Sequence, residues 1–353
     1  MILQIANYDI HGLITIHVKG NRQLIKNIDL HLWAFKVISR SKYTSIVILP
    51  YSEYFQEKNG LVTDDWVFSK GFATRSAIKF AIGFKKDTLF MYTDSLELPI
   101  NLLIQIMLLR SKYSFIHAAG FKTQNLNGII VAAGPGAGKT TLTAVADKAG
   151  WVTLGDDLCI VGKGKIWSYP QALSIYPYHR KIFKNFSQMI SLKLQVLSFF
   201  GALSDLTANK KNLFAKFVRV FINILIKKNL NLSPTVVLKN SAILNSVEIS
   251  KFIFMVRICN SSKIRVKSLK SRDFSDITTI LWHEWHSSFH EILLIDTYLY
   301  GGKLFSNLFR DTRRVYEKEF GLKKLVETKI PAFLTTEELL GEFYELIKYI
   351  DSN

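Results

Sequence analysis

Residues 133–140, Ala-Gly-Pro-Gly-Ala-Gly-Lys-Thr, restrict this chain more than any other stretch. They follow the apolar, strand-like run Gly128–Ala133 and open the helix-forming residues 140–149, with Gly150 as the C-cap. A glycine-rich loop between strand and helix is the setting in which backbone N–H groups converge on phosphate oxygens. Gly134, Gly136 and Gly138 open the loop, and the helix N-terminus adds about half a positive charge. Lys139 is then expected on the β and γ phosphates, and the Thr140 hydroxyl on Mg²⁺. Phosphate contacts are expected from Gly134, Pro135, Gly136, Ala137, Gly138, Lys139, Thr140 and Thr141. Ala133 stands where the usual pattern has glycine, which fits if its φ stays negative. A glycine turn with a chance lysine is the alternative, and the strand before it and helix after it count against that. The reading is an α/β unit that takes ATP with Mg²⁺.

Asp156 and Asp157 follow Lys139 by 17 and 18 residues, between the short strand-like segments 151–154 and 158–161. Two adjacent carboxylates have complementary uses. One can help hold a metal; the other, its pKa raised by its like-charged neighbour, can take a proton from an attacking hydroxyl. A surface Asp-Asp turn is the plainer reading of the same pair.

Taken in order, His117 in FIHAAG, the loop with Lys139 and Thr140, Gly150, and Asp156-Asp157 resemble the HPr kinase/phosphorylase-like family. That family's loop is of the phosphoenolpyruvate-carboxykinase kind. The resemblance is specific over 115–161 and diffuse through the rest of the C-terminal two thirds. It implies Asp157 as the base for a serine hydroxyl, Asp156 as its structural or metal-side partner, and His117 against the pair, tuning its protonation. Alone, His117 would read as a satisfied core histidine. The chain departs from the bifunctional members, which carry a Mg²⁺-binding glutamate shortly after the pair: 158–204 holds no Asp or Glu. In its place stands IWSYPQALSIYPYHRKIF, which looks like diverged relatives that phosphorylate a serine of a peptide natural-product precursor. The resemblance therefore implies a serine kinase for a precursor peptide ahead of a kinase for HPr itself. A P-loop ATPase or nucleotide-binding regulatory module without phosphotransfer remains the reading from a different class.

The flanking text divides the chain. Residues 1–100 read as a smaller strand-rich domain: Ile14, Ile16 and Val18 alternate, 44–49 is a β-branched run, and Asn59-Gly60 marks a turn. Residues 101–353 read as the P-loop domain, with helices over 181–200 and 214–226 and an amphipathic C-terminal helix. Thr335 and Glu338 form that last helix's capping box, and Leu339, Leu340, Phe343, Leu346, Ile347 and Ile350 its buried stripe. With 48% hydrophobic and 13% aromatic residues, the chain buries too much apolar surface to be disordered. Cys159 and Cys259 cannot build a disulfide scaffold and read as buried or inert. The opening MILQIANYDIHG lacks a signal-peptide layout, and apolar runs such as 102–109 stop short of the ~20 residues that span a bilayer. A cytoplasmic location is expected.

Charge is lopsided. The net charge is +18, and residues 158–247 hold thirteen basic side chains against Asp205 alone. Beyond a solvated face, three uses compete: steering an acidic or phosphorylated peptide substrate, lying on anionic membrane with the 214–226 stripe, or binding nucleic acid. The last ranks lowest, since no helix-turn-helix, zinc-finger or RNA-recognition pattern accompanies the charge. Three weaker features remain. His283, His286 and His290 share a face if helical and could hold zinc, although the HExxH order is absent. Arg257, after the strand-like KFIFMV, could reach a phosphate; Arg180 is a weaker candidate for the same task.

Overall fold

The computed structural model describes residues 2–41, 43–54, 60–63, 65–69, 71–96, 99–134, 136–183, 188–208, 230–241, 246–259, 263–270, 289–301, 308–321, 323–332 and 334–352. It is mixed α/β, built on two nine-stranded sheets. The first uses β1 (Gln4–Ile10), β2 (Ile14–Gly20), β3 (Lys36–Val37), β4 (Ile46–Leu49), β5 (Leu61–Val62), β6 (Val67–Ser69), β7 (Phe72–Arg75), β8 (Phe80–Lys85) and β9 (Thr88–Thr93). Their order is β3-β1-β2-β4-β9-β8-β7-β6-β5, with β4 parallel to both β2 and β9. The expected alternation holds where it was clearest: Ile14, Ile16 and Val18 are all buried.

The helix α1 (Arg22–Leu32) lies in a region read as strands and turns. Its signals are local. Asn21 caps it, accepting from the Leu24 N–H at 2.8 Å, and Leu24, Ile25, Ile28 and Leu32 make its buried face. The next helix, α2 (Ile100–Arg110), is apolar nearly all round, and every residue from Ile100 to Leu108 is buried. Such a helix belongs inside a protein. Its side chains join one core with those of the first sheet and with Phe115, Ile160 and Tyr169 of the following region. Its two buried polar residues are satisfied: Asn101 accepts from the Tyr169 hydroxyl at 2.7 Å, and Gln105 Oε1 accepts from the Phe115 N–H at 2.7 Å.

The second sheet contains β10 (Ser114–Ile116), β11 (Ala118–Lys122), β12 (Gly128–Ala133), β13 (Val152–Gly155), β14 (Cys159–Gly162) and β15 (Lys165–Trp167). A small pair, β16 (Leu173–Ile175) with β17 (Leu230–Leu232), stands apart. The sheet is completed by β18 (Ser246–Ile258), β19 (Arg265–Ser268) and β20 (Lys324–Pro331). Its order is β10-β14-β15-β18-β12-β11-β13, with β20 also on β18 and β19 on β20. Helix α3 (Lys139–Lys148) follows β12. Then come α4 (Gln188–Ala208), the short α5 (Pro234–Val237), α6 (Phe289–Tyr300), α7 (Leu308–Phe320) and α8 (Thr336–Ser352). Of the helix expected over 181–200, residues 188–200 fall in α4, Lys181 ends the 3₁₀ turn Pro177–Lys181 instead, and 184–187 lie outside the described residues. The stripe expected at 214–226 lies outside the described residues. Thr335 and Glu338 cap α8 reciprocally: the Thr335 N–H donates to Glu338 Oε2 at 2.8 Å, and the Glu338 N–H to Thr335 Oγ1 at 3.3 Å. Leu339, Phe343, Leu346, Ile347 and Ile350 then bury against β12, α3 and β18. Among the described residues, no helix is long and apolar enough to cross a membrane.

Candidate active site

Strand pairing assembles the acidic pair and His117. β11 runs antiparallel to both β12 and β13, so the C-terminal ends of β12 and β13 share an edge with the start of β11. The β10–β14 register sets Ile116 opposite Cys159, which leaves His117 beside the Asp157–Leu158 turn. That turn requires Gly155, where a Cβ would come 2.2 Å from the Leu158 carbonyl oxygen. Tight packing around Cys159 supports it from behind; of the two cysteines read as buried or inert, Cys159 is buried and Cys259 is exposed, and neither forms a disulfide.

The glycine loop leaves β12 at the same edge. Ala133 ends that strand in extended backbone, and among the described residues of the loop Gly136 (φ 71°) and Gly138 (φ 102°) take left-handed conformations. At Gly138 a Cβ would also press to 3.1 Å from the Phe343 ring of α8, so glycine is required twice over. Pro135 lies outside the described residues. Gly138 is the N-cap of α3 and supplies no side-chain acceptor, leaving the first-turn N–H groups for an anion. Gly150 closes the same helix at φ 83°; its N–H donates to the Asp147 carbonyl at 3.1 Å and Trp151 N–H to that of Ala146 at 2.9 Å.

Lys139, Asp157 and His117 converge in front of this helix. Lys139 Nζ donates to the Ala133 carbonyl at 2.8 Å and lies 4.0 Å from Asp157 Oδ1. His117 Nε2 is 2.8 Å from that same oxygen. Asp156 points into α3 instead: Thr140 Oγ1 donates to its Oδ2 at 2.8 Å, and Thr143 Oγ1 donates to its Oδ1. Desolvation lowers the Lys139 pKa against the pull of both carboxylates. Desolvation also raises that of Asp156, over the opposing bonds from Thr143 and Thr140. Asp157 behaves otherwise. Burial pushes its carboxyl up, but the hydrogen bond and charge of His117, with Lys139, hold it below the ordinary carboxylate value. The like-charge argument, which would raise the pKa of the expected base, is therefore corrected: the like-charge effect falls on Asp156, while His117 and Lys139 lower Asp157.

These groups line a cavity of about 590 Å³ whose other wall is the segment 171–182, with Arg257 near the end of β18 and Leu334 and Leu339 around the start of α8. The sequence reading singled out Arg257, but not Gln171, Ser174, Tyr176, Tyr178 or His179. Arg180 is exposed and outside the lining. His179 is buried; its Nδ1 accepts from the Tyr176 N–H at 3.1 Å, and burial pushes its pKa down to about 4. Of the three-histidine group, His283 and His286 lie outside the described residues and His290 falls in α6. Among the described residues no three His, Cys, Asp or Glu side chains gather as a metal cage. The oxygen donors of Thr140 and Asp156 suit Mg²⁺, which commonly binds through one or two protein oxygens together with substrate phosphates. Because the Thr140 hydroxyl gives its proton to Asp156, its lone pairs stay available to a cation. Scanned against known protein families and against curated proteins, the chain matches no family model and no curated sequence.

Proposed function

We propose that this chain is an ATP-dependent kinase of the HPr kinase-like, P-loop kind, transferring the γ-phosphoryl group to a serine or threonine hydroxyl of a peptide or protein. A serine-bearing natural-product precursor peptide is the acceptor the sequence resemblance favours. One observation supports the reading above all: an uncapped helix N-terminus with Lys139, and an ionised Asp157 paired with His117, face one cavity. The first half suits a triphosphate; the second suits the hydroxyl that attacks it.

In this mechanism the N–H groups at the start of α3 and the Lys139 ammonium hold the β and γ phosphates in line. Lys139 leaves the Ala133 carbonyl for a phosphate oxygen. Mg²⁺, held by Thr140 and by Asp156 behind it, would neutralise charge on the phosphate oxygens. Asp157 accepts the proton of the acceptor hydroxyl as the new O–P bond forms and the β,γ-bridging bond breaks, releasing ADP. Its pKa, low in the free protein, rises when the nearby phosphate adds negative charge and engages Lys139, which makes it a better base in the complex. His117 fixes the rotamer of Asp157 and can take up the proton afterwards.

The test separates binding from chemistry. With [γ-³²P]ATP and a serine/threonine peptide array, Asp157→Asn should bind ATP normally and lose transfer by about 10²–10⁴. If Asp156→Asn fails and Asp157→Asn transfers at the normal rate, the two roles are reversed. Normal transfer by both variants would end the kinase reading.

A further inference from the structure

The cavity has two chemically different ends. At one stand His117, Asp156, Asp157 and the start of the 171–182 wall, tied there by the Tyr169 N–H, which donates to the Leu154 carbonyl at 2.9 Å, two residues before Asp156. The wall then runs along α3: Leu173, Ile175 and Ile182 pack with Ala144, and Lys148 Nζ donates to the Ile182 carbonyl at 2.8 Å. Its turn reaches the other end, where Tyr178 lines the cavity together with Leu334 and with Arg257, whose charge reaches the Tyr178 hydroxyl. Arg257 leaves β18, which flanks β12 on the side away from β11 and β13, and its Nη1 donates to the Ala332 carbonyl at 3.1 Å. The acidic pair and the arginine thus lie on opposite sides of the glycine loop.

Tyr176 and Tyr178 stack at that far end, ring centroids 5.7 Å apart and planes at 9°. His179 sets its edge against both rings and is itself buried, its Nδ1 holding the Tyr176 N–H. The two tyrosine residues are nevertheless 39% and 55% exposed. Two parallel aromatic rings, held rigid from behind and left open in front beside a guanidinium, form a platform for a flat π-system.

We infer that Tyr176, Tyr178 and Arg257 form the base-binding end of the cavity, taking the purine of the nucleotide by stacking. The inference rests on the kinase reading, which puts the γ-phosphate beside Asp157 and so sends the base to the opposite end. The acceptor hydroxyl then enters at the acidic end, past His117 and Gln171. Stacking reads the face of a base and tolerates any purine, and one stacked ring contributes on the order of ten- to hundredfold in affinity.

Calorimetric titration with Mg-ATP and with Mg-tripolyphosphate, which has the phosphates and no base, tests this. Wild type should bind ATP at least tenfold more tightly than tripolyphosphate. Tyr178→Ala should lose that advantage while keeping tripolyphosphate affinity, and Tyr178→Phe should restore it; Lys139→Ala should weaken both ligands. Equal binding of the two ligands by wild type would overturn the proposal without any variant having to fold. So would a Tyr178→Ala protein that binds ATP normally and shows a raised KM for peptide, since the platform would then belong to the acceptor. Binding of neither ligand by wild type would sink the nucleotide reading and the platform together, whereas tripolyphosphate binding without a preference for ATP removes the platform alone.

Discussion

At the scale of single residues the least legible participant is Thr143. It is buried in the middle of α3, where a threonine is unremarkable, and only the fold brings its hydroxyl to Asp156. Asp156 thus has each oxygen held by a different helical hydroxyl, Thr140 and Thr143, one turn apart. If Thr140 also serves a cation, Thr143 is what keeps Asp156 in place behind it. Partners of this kind typically change metal affinity by about 10–100-fold. Thr143→Val, which keeps the shape and removes the donor, should raise the Mg²⁺ concentration needed for nucleotide binding about tenfold, and Thr143→Ser should reverse the change. A Mg²⁺ titration of nucleotide binding checks it, and a wild-type curve for Thr143→Val would remove Thr143 from the site. Asp157 carries the complementary lesson. Its acidic neighbour is adjacent in sequence, but its decisive partners, His117 and Lys139, come from two other elements, so reading the pair in isolation gave the wrong direction for its pKa.

At the scale of elements, what was legible was local. The glycine loop, the C-cap at Gly150 and the Thr335/Glu338 box each depend on a few consecutive residues, and each forms where its pattern falls. What was missed depends on partners far along the chain: the wall at 171–182, with its turn at Pro177–Lys181, is held to α3 by Ala144 and Lys148. That turn carries a pH dependence. His179 is neutral in the fold, with Nδ1 as an acceptor, and its pKa is pushed down to about 4 by burial, while in the unfolded chain it returns to about 6.5. The unfolded state therefore takes up the proton first as pH falls. Stability is full above about pH 6.5 and is lost progressively toward pH 4, by at most ~1.4 kcal/mol per pH unit. His11, His17 and His31 are shifted the same way by burial, so the difference between proteins isolates His179. Thermal melts of wild type and His179→Asn should diverge at pH 7 and converge toward pH 4.5, because the variant lacks this one proton uptake. Parallel melting curves across that range would show that His179 titrates normally.

At the scale of the whole molecule, the mixed α/β character and the apolar run at 102–109 were readable, yet neither the helical form of that run nor the way α2 feeds a core shared with both sheets was, because shared burial is non-local. The basic excess was readable as a count but not as a surface. Of its members, Lys163, Arg180, Lys193 and Lys239 are exposed. Met189, Leu192, Val196 and Phe199 are exposed along one face of α4 beside Lys193. If the charge steers an acidic peptide toward the cavity, apparent peptide affinity should weaken severalfold between 50 and 200 mM salt, roughly the range in which screening shortens below 10 Å. Nucleotide affinity should change less, since its contacts are enclosed. The triple variant Arg180→Gln, Lys193→Gln, Lys239→Gln should raise the peptide KM and flatten the salt dependence with little change in melting temperature, because exposed substitutions usually cost within ~0.5 kcal/mol each. An anionic membrane as the partner predicts the opposite pairing. Wild type would then co-sediment with phosphatidylserine vesicles, Leu192→Glu with Val196→Glu would release it, and phosphorylation of a soluble peptide would be indifferent to both sets of changes. Peptide kinetics and vesicle sedimentation on these two variants discriminate the cases, and no effect in either assay would leave the charge as a solvated face.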